Sequence, residues 1–363
     1  MAGAAVKHDY HLVNPSPWPI LGAAGIFLLM LGMATYMKGM FGVPAGQWWV
    51  MLPGAVWLTW VLIGWWGDVL RESKGGDHTG VVQISPTATS PAMTDINDND
   101  LLYRIVPSDN FQGKVLAKMV MDEGLKKVAV TFVNNDYGVG IGGTFIEAYK
   151  ALGGEVVAEV KHEEKKNSYR SELATLSKAG GDALVVIAYA GDSGGKIVKQ
   201  AIEGGLFTKF VGTDGLRDEA LISDIGAEAL ATSFFSAPTS PADNPNQAKL
   251  HEAYTAAYSE AADKPFVDQT YDATFLALLA VEQAGSADRT KMAEALRAVA
   301  SAPGEKVGPG EWEKAKALIA EGKDIDYDGA GGSYDFDEKG DVAGFIGKFV
   351  VDGTVFKQIE IVE

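Results

Sequence analysis

The chain has 363 residues, and its 48 acidic side chains outnumber its 31 Lys and Arg side chains, which gives a formal net charge of −17. Such an acidic surface repels nucleic acid and anionic lipid headgroups, which argues against a nucleic-acid partner. Cysteine is absent, so disulfides and thiolate metal sites are excluded.

Composition divides the chain near Ile84. Residues 1–83 hold seven of the eight tryptophans and four basic against four acidic side chains, whereas residues 84–363 hold 27 basic and 44 acidic ones. The negative charge therefore belongs to the C-terminal part. The boundary tract Ile84–Thr94, ISPTATSPAMT, is rich in Ser, Thr and Pro, whose hydroxyls and free backbone groups suit either a solvated linker or a ligand-binding loop.

Two uncharged apolar runs predict a transmembrane hairpin within residues 1–83. They cover about 20–37 and 48–66, and each is long enough to cross a hydrocarbon core of roughly 30 Å. Tryptophans lie at the ends of the runs, where aromatic rings prefer the headgroup region. A cleaved signal peptide is the competing interpretation, but no convincing cleavage site follows the first run and a second apolar run does.

The residues around these runs resemble the start of cytochrome c oxidase subunit III. The matching segments are 8–10 (HDY), 14–19 (NPSPWP), 37–39 (MKG), 65–72 (WWGDVLRE) and 76–79 (GDHT). The resemblance covers residues 7–83 and carries no redox centre. It implies a bacterial inner-membrane location and oxidase subunits as partners of the hairpin.

After Leu102, short β-branched runs alternate with helical patterns, which predicts a parallel sheet covered on both faces by helices. The predicted strands are Val128–Val133, Val156–Val160, Ala183–Ala188 and Phe210–Gly212. The predicted helices between them are Gly113–Glu123, Thr144–Leu152, Tyr169–Lys178 and Lys196–Glu203. A helix-rich stretch over residues 246–321 follows, and strand patterns return at Phe345–Val351 and Thr354–Val362.

Three motifs in the C-terminal part match known functional signatures, but each lacks the sequence context that its signature normally has. Gly191–Gly195, GDSGG, matches the chymotrypsin nucleophile loop, but no histidine stands in a matching context and the motif follows a parallel strand. Gly138–Gly143 has the spacing GxGxxG, but four residues separate it from the strand end. Asp324–Asp335 resembles a calcium loop, but no helical pattern follows it. We therefore expect no enzyme activity, no cofactor and no bound metal.

Tyr137, Tyr189 and Asp214 each follow a predicted parallel strand. Because open α/β sheets bind ligands beyond the carboxyl ends of their strands, we expect the three side chains to line one cleft. One carboxylate with two phenol hydroxyls suits a small cationic group such as an α-ammonium. For either tyrosine alone, a core aromatic ring with a solvated hydroxyl would be the simpler interpretation.

The C-terminal part resembles the branched-chain amino-acid binding proteins of ABC importers, the leucine/isoleucine/valine-binding type. The matching segments are Ile84–Thr94, Tyr103–Asp109, Asn135–Gly140, Gly212–Gly215, Gln269–Ala273 and Asp326–Asp341, so that the resemblance covers residues 84–363. It implies an α/β, periplasmic-binding-protein-like (type I) fold, in which two lobes close on an amino acid and present it to an ABC permease.

The resemblance also implies the ligand contacts. Thr89 and the backbone at Thr87 would hold the main-chain groups of the ligand from the first lobe. Tyr137, Tyr189 and Asp214 would close over the ligand from the second lobe. Asp214 stands where a glutamate is common in the family, and it would accept from the ligand's ammonium group.

The first lobe departs from the family pattern. About three βα units are missing, together with the serine that holds the ligand's carboxylate, and the hairpin stands in their place. We therefore expect an incomplete lobe one, formed by residues 84–108 and about 239–343. Lobe two, formed by residues 109–238 and 344–363, is expected to be complete, and amino-acid binding to be weak or absent.

The sequence thus predicts an amino-acid binding protein of the ABC-import type, for branched-chain or hydrophobic ligands, that is fused to a membrane hairpin and impaired. The alternative is a fragment of oxidase subunit III, a respiratory membrane subunit, with an incidental C-terminal domain. The expected partners are a small amino-acid ligand, the lipid bilayer, an ABC permease if the domain is exported, and oxidase subunits through the hairpin.

The charges around the hairpin predict its topology. Lys7 precedes the first run and Arg71 and Lys74 follow the second, whereas only Lys38 lies in the connecting loop. The positive-inside bias places both ends in the cytoplasm, while the importer resemblance would need the domain in the periplasm. We expect protease added to intact spheroplasts to leave residues 84–363 uncut on an immunoblot. Digestion of that domain from outside would show that the topology is the opposite one, with both ends in the periplasm.

Overall fold

The computed structural model describes residues 17–73, 81–262, 264–286 and 288–362, apart from the side chains of residues 67–73, 289 and 290. Contacts divide the chain into two units, Met1–Gly80 and Val81–Glu363. The first unit is a pair of apolar helices. The second is an α/β unit.

The first unit contains the two predicted apolar segments. Helix α1 is Trp18–Lys38, a 3₁₀ turn follows at Trp48–Met51, and helix α2 is Leu52–Ser73. The segments Trp18–Lys38 and Trp48–Trp66 are long and apolar enough to cross a membrane. They overlap both predicted runs, so the structure agrees with a helical hairpin here.

Glycines set the distance between α1 and α2. A Cβ atom on Gly25 would lie 2.7 Å from Cδ1 of Trp57, and one on Gly54 would overlap the backbone of Leu29. In addition, the Trp57 indole Nε1 donates to the carbonyl oxygen of Leu21 at 2.9 Å. Small residues of this kind let the backbones of paired membrane helices approach closely.

The second unit alternates strands and helices. Its strands are β1 (Gln83–Ser85), β2 (Leu102–Arg104), β3 (Lys127–Val133), β4 (Glu155–His162), β5 (Ala183–Ile187), β6 (Phe210–Gly212), β7 (Phe234–Thr239), β8 (Glu305–Val307), β9 (Ile325–Tyr327), β10 (Phe345–Asp352) and β11 (Val355–Val362). Its helices are α3 (Asp109–Asp122), α4 (Asp136–Ala151), α5 (Arg170–Ala179), α6 (Gly195–Glu203), α7 (Glu219–Ile225), α8 (Ala227–Leu230), α9 (Pro245–Tyr258), α10 (Val267–Ala284), α11 (Arg289–Ala300) and α12 (Trp312–Ala320).

The main sheet has seven strands in the order β11-β10-β7-β6-β5-β3-β4. Strands β3 to β7 pair in parallel, whereas β10 runs antiparallel to both β7 and β11. Because β6, β5 and β3 are neighbours, the segments that follow them meet at one edge of the sheet. The sequence pattern does not predict β7, since Ser236, Ala237 and Pro238 interrupt its apolar run.

Two hydrophobic cores give the unit its two lobes. One core packs around the main sheet and includes Leu116 and Leu184, and we call this part lobe two. The other joins α10, α11 and β9 through Leu276, Leu296 and Tyr327, and we call this part lobe one. Within the described residues, lobe one has only the two-stranded sheets β1-β2 and β8-β9. The predicted two-lobe α/β fold is therefore confirmed.

Helices α3 and α4 begin well before their predicted starts. The Ser108 side chain accepts from the Asn110 amide at 3.3 Å and caps α3, and the Asn135 side chain accepts from the Gly138 amide at 2.9 Å and caps α4. The predicted starts of both helices were wrong, because polar and glycine-rich first turns lack the apolar period on which the prediction depends.

The glycine run of the GxGxxG spacing lies inside α4, where it serves packing. A Cβ atom on Gly142 would lie 2.9 Å from Cγ of Phe132, and one on Gly140 would lie 2.7 Å from Cδ of Pro91. Larger side chains at these positions would push α4 away from β3 and from the Ile84–Thr94 loop.

The calcium-like segment contains strand β9 and is not an open acidic turn. Asp326 is buried in this strand, and its carboxylate lies 2.8 Å from the Lys306 ammonium. Asp328 accepts a hydrogen bond at its backbone oxygen from the Asn246 amide at 2.7 Å. The segment therefore connects parts of lobe one.

The GDSGG turn has a histidine partner that the sequence does not predict. Ser193 Oγ lies 3.0 Å from Nε2 of His162, and Nδ1 of His162 lies 2.8 Å from Thr131 Oγ1. The Thr131 hydroxyl donates to the Val160 carbonyl at 2.8 Å, so it accepts from His162 Nδ1–H. The third group is thus a hydroxyl and not a carboxylate, and Ser193 is fully buried.

Burial of His162 makes the stability of lobe two depend on pH. Desolvation lowers the pKa of His162 from 6.5 to about 4. Between these values the unfolded chain binds a proton that the folded chain does not, so stability falls as the pH decreases from 6.5 to 4. We expect His162→Gln to flatten this part of the profile by up to about 1.4 kcal/mol per pH unit in urea titrations.

A Ser193→Ala variant is the matched control for this prediction. It removes a hydrogen bond to the imidazole but keeps the titrating group, so it should lower stability at every pH and retain the slope. An unchanged acid slope in His162→Gln would contradict the assignment.

Candidate functional site

Three predicted site residues meet at the edge where β3, β5 and β6 end. The rings of Tyr137 and Tyr189 stack with their centroids 5.0 Å apart, and the Tyr137 hydroxyl lies 3.1 Å from Oδ1 of Asp214. Tyr137 occupies the first turn of α4, and the other two residues directly follow β5 and β6. The parallel strand order thus brings together residues that are 77 positions apart in the chain.

The Tyr137 hydroxyl is the centre of a hydrogen-bond network. It lies 2.7 Å from Thr213 Oγ1, donates to Asp214, and accepts from the Gly215 amide at 3.3 Å. Burial raises the pKa of Tyr137 well above its usual value, with the charge of Asp214 adding to the effect. Tyr137 is therefore a neutral hydrogen-bond donor at physiological pH.

Asp214 is half-buried and keeps its carboxylate next to neutral donors. Gln112 Nε2 donates to Asp214 Oδ1 at 2.8 Å, alongside the Tyr137 hydroxyl. Burial raises the pKa of Asp214, while the bonds from Gln112 and Tyr137 oppose the increase. An ammonium group at this point would gain a charge-assisted hydrogen bond.

Asp109 and Gln112 are site residues that the sequence reasoning missed. They lie one turn apart on α3 and so share a face of the helix. Both side chains are fully buried, and among the described residues neither oxygen of the Asp109 carboxylate, nor Gln112 Oε1, has a hydrogen-bond partner of acceptable geometry. A ligand group or a water molecule that reached these atoms would be stabilised by them.

The charge state of Asp109 depends on its surroundings. Burial, and to a smaller extent the nearby charge of Asp214, raise the pKa of Asp109 to about 8, against the opposing effects of Thr89 and Arg104. A cation brought into contact would favour the ionised carboxylate. The only sequence signal for this residue is an Asp-x-x-Gln pair in the first turn of a helix that begins at the same sheet edge.

Thr89 and Thr87 lie in different environments in the structure. Thr89 is buried, and its carbonyl oxygen accepts from the Asp109 amide at 2.8 Å. Thr87 is exposed, and its amide donates to Ser85 Oγ at 3.4 Å. Thr89 therefore lies beside the acidic site, whereas Thr87 is oriented by its own loop.

A buried guanidinium fixes the Ile84–Thr94 loop. Arg104 is 1% exposed and donates to the carbonyl oxygens of Thr89 at 3.0 Å and Ser90 at 2.8 Å. It also donates to Thr94 Oγ1 at 2.6 Å and forms an ion pair with Asp341 at 2.6 Å. The tract is therefore an ordered loop rather than a solvated linker.

An open cavity of about 1050 Å³ lies at a different place. It is lined by Pro107, Phe111, Pro241 and a group of aspartates that includes Asp335. Neither tyrosine of the site, nor Asp214, lines it. The chemistry at the strand ends, and not the size of this cavity, identifies the candidate site.

Comparisons with known proteins divide the chain in the same way as its composition. The family model described as "Receptor family ligand binding region" matches residues 73–345. The model of cytochrome c oxidase subunit III matches residues 8–87. Both resemblances inferred from the sequence are therefore confirmed.

Curated relatives cover the two parts separately. The leucine-, isoleucine-, valine-, threonine-, and alanine-binding protein of Pseudomonas aeruginosa is 28% identical over 223 residues, which are 61% of this chain and 59% of that protein. Cytochrome c oxidase subunit 3 of Glycine max is 43% identical over 81 residues, which are 22% of this chain and 29% of that protein. The chain spans less than two thirds of the length of either relative.

Two solved structures share the fold of the second unit. The leucine binding protein LivK of Thermotoga maritima matches with a TM-score of 0.65 and 26% identity, over 78% of this chain and 73% of that chain. The branched-chain amino acid transporter substrate binding protein LivJ of Streptococcus pneumoniae, in complex with isoleucine, matches with a TM-score of 0.63 and 25% identity over the same shares.

The Arg104–Asp341 ion pair should contribute strongly to stability. Asp341→Asn leaves a buried guanidinium without its carboxylate, and we expect the free energy of unfolding to fall by about 3 kcal/mol. Urea titration followed by circular dichroism measures the change. Asp122→Asn breaks the exposed pair with Lys118 and is the matched control, which should change stability little. Equal effects of the two variants would contradict this assignment.

Proposed function

The chain belongs to the family of receptor ligand-binding regions, and from that premise we propose that its second unit binds the ammonium group of a small amino-acid ligand at Asp214. The hairpin anchors this binding module in a membrane. The function is binding and not catalysis, and it needs no cofactor.

The half-buried carboxylate of Asp214 carries the proposal. Tyr137 and Gln112 hold it by neutral donors, so its negative charge is not cancelled by either contact. Tyr189, which is 39% exposed, presents an aromatic surface beside it. A carboxylate next to an aromatic face is a favourable environment for a small ammonium ion.

The relatives support the ligand class. The Pseudomonas aeruginosa relative is a binding protein for leucine, isoleucine, valine, threonine and alanine, and the Streptococcus pneumoniae structure contains isoleucine. We propose an α-amino acid with an aliphatic side chain. An ABC permease would be the partner only if the second unit reaches the periplasm.

The burial of Ser193 favours binding over hydrolysis as the function of this unit. Its hydroxyl and the His162 ring are both buried, so no substrate bond can reach the pair without opening of lobe two. Nucleophilic catalysis also needs a group that orients the histidine and stabilises its charge, and Thr131 has no charge to offer.

A second candidate function rests on the hairpin. The match to subunit 3 of cytochrome c oxidase reaches 43% identity over 81 residues, and glycines pack α1 closely against α2. A hairpin of this kind could insert beside oxidase subunits. Co-purification of haem with a tagged chain from detergent extracts tests this candidate, and haem-free preparations would contradict it.

The binding proposal predicts a weak interaction that depends on Asp214. Within the described residues, lobe one has only two two-stranded sheets, so we expect the ligand to find fewer contacts on that side. We expect leucine to bind with a dissociation constant above about 100 μM, measured by saturation-transfer NMR on the chain in detergent. Asp214→Asn should abolish the signal.

Asp218→Asn provides the control, because it makes the same charge change on an exposed residue that caps α7. It should retain leucine binding. A micromolar or smaller dissociation constant for leucine would contradict the predicted impairment of binding. Unchanged leucine binding in Asp214→Asn would contradict the assignment of Asp214 to the site.

A further inference from the structure

The direction of the Gln112 side-chain amide is determined by its surroundings. Nε2 of Gln112 donates to Asp214 Oδ1 at 2.8 Å, and it lies 3.2 Å from Oγ and 3.3 Å from the carbonyl oxygen of Ser236. A carboxylate and a carbonyl oxygen only accept hydrogen bonds, so the reversed amide would bring acceptors into contact with one another. Gln112 therefore presents its NH₂ group, and not its oxygen, to Asp214.

The same amide connects two neighbouring strands of the main sheet. Asp214 directly follows β6 and Ser236 lies in β7, so the NH₂ group of Gln112 has acceptors on both. Gln112 Oε1, in contrast, is buried and has no hydrogen-bond partner among the described residues. An unpaired buried acceptor costs free energy. The arrangement thus keeps the donor contacts of the amide although its acceptor stays unpaired.

The contact from Gln112 favours the ionised form of Asp214. Burial raises the pKa of Asp214, and the hydrogen bond from Gln112 opposes the increase more than the charge of Arg217 does. The Gln112 bond, at 2.8 Å, is also shorter than the 3.1 Å bond from the Tyr137 hydroxyl. The ionisable side chains that interact electrostatically with Asp214 come from four elements, and they are Asp109 (α3), Tyr137 (α4), Tyr189 (after β5) and Arg217 (after β6).

A side chain in the place of Gln112 has to meet two conditions if Asp214 is to hold an ammonium group. It must donate to the carboxylate, because a hydrogen bond to the charged form favours ionisation. It must also be uncharged, because a cation there would compete with the ammonium group for the same carboxylate. A side-chain amide meets both conditions.

We propose that Gln112 is the positioning residue that makes Asp214 selective for an ammonium group, because its uncharged amide holds the carboxylate and leaves the negative charge for the ligand. This inference rests on the proposed function and deepens it. Gln112 acts through Asp214, since its own side chain is fully buried.

Two variants of the full chain in detergent micelles separate the two conditions. Gln112→Met has a similar length but no N–H donor, and Gln112→Lys keeps a donor but adds a positive charge. Carbon-13 NMR of labelled aspartate carboxyl groups follows the ionisation midpoint of Asp214, and Asp214→Asn assigns the signal. Saturation-transfer NMR measures leucine binding at each pH.

The two variants should shift the midpoint in opposite directions and weaken leucine binding in different ways. We expect Gln112→Met to raise the Asp214 midpoint by about one pH unit and Gln112→Lys to lower it. In Gln112→Met, the acid limit of leucine binding should move up with the midpoint, so that binding returns at higher pH. In Gln112→Lys, leucine should bind more than about tenfold more weakly wherever the new side chain is charged, although Asp214 is ionised.

Gln247→Met is the matched control. Gln247 Nε2 donates to Asp268 Oδ2 at 2.7 Å, so this variant removes the same kind of bond from a carboxylate on α10. It should retain the Asp214 midpoint and the leucine affinity of the wild type. A midpoint shift as large as that of Gln112→Met would overturn the inference, because it would assign the shift to general loosening of the fold.

The outcomes separate this inference from the proposed function. A wild-type chain that binds no leucine overturns the proposed function, and this inference with it. If the wild type binds leucine, an unmoved midpoint in Gln112→Met, or wild-type affinity in Gln112→Lys, overturns this inference alone. Gln112→Met introduces no charge into the buried position, so it decides the question even where Gln112→Lys does not fold.

Discussion

The buried guanidinium of Arg104 needs hydrogen-bond acceptors, and this requirement organises the region around the site. Arg104 carries five N–H donors, and a donor that is removed from water without a partner costs free energy. Thr89, Ser90 and Thr94 supply acceptors from one side and Asp341 supplies a carboxylate from a distant part of the chain. One side chain therefore determines where the Ile84–Thr94 loop lies.

The position of this loop has consequences for the acidic pair. Because the Thr89 carbonyl accepts from both Arg104 and the Asp109 amide, the start of α3 is attached to the same guanidinium. Gln112 then extends from α3 to Asp214 at the end of β6. The first turn of α3 is thus hydrogen-bonded at one end to the loop that the buried arginine holds, and at the other end to the carboxylate that we propose as the ammonium acceptor.

Sequence reasoning identified the elements whose signal is local. Strands β3, β5 and β6 have nearly continuous apolar runs, and their ends marked Tyr137, Tyr189 and Asp214 because all parallel strands of a sheet point the same way. Asp109 and Gln112 could not be found in this way, since a polar pair on a helix normally faces solvent. Their burial depends on the tertiary position of α3 against the sheet.

Contacts between segments that are distant along the chain could not be predicted from the sequence either. His162 and Ser193 are 31 residues apart, and neither lies in a pattern that indicates the other. Their meeting depends on β4 taking the edge position next to β3, which is a property of strand order. The glycine run of α4 is similar, because its reason is the close approach of Phe132 and Pro91 rather than a turn.

The Ser193–His162 pair has a practical consequence for measurements on this protein. Its hydrogen-bond arrangement leaves Nε2 of His162 as an acceptor for the serine proton, as in an activated nucleophile, yet both groups are sealed from solvent. An electrophilic serine reagent can therefore react only during local opening of lobe two. The labelling rate of Ser193 would therefore report how often that part of lobe two opens.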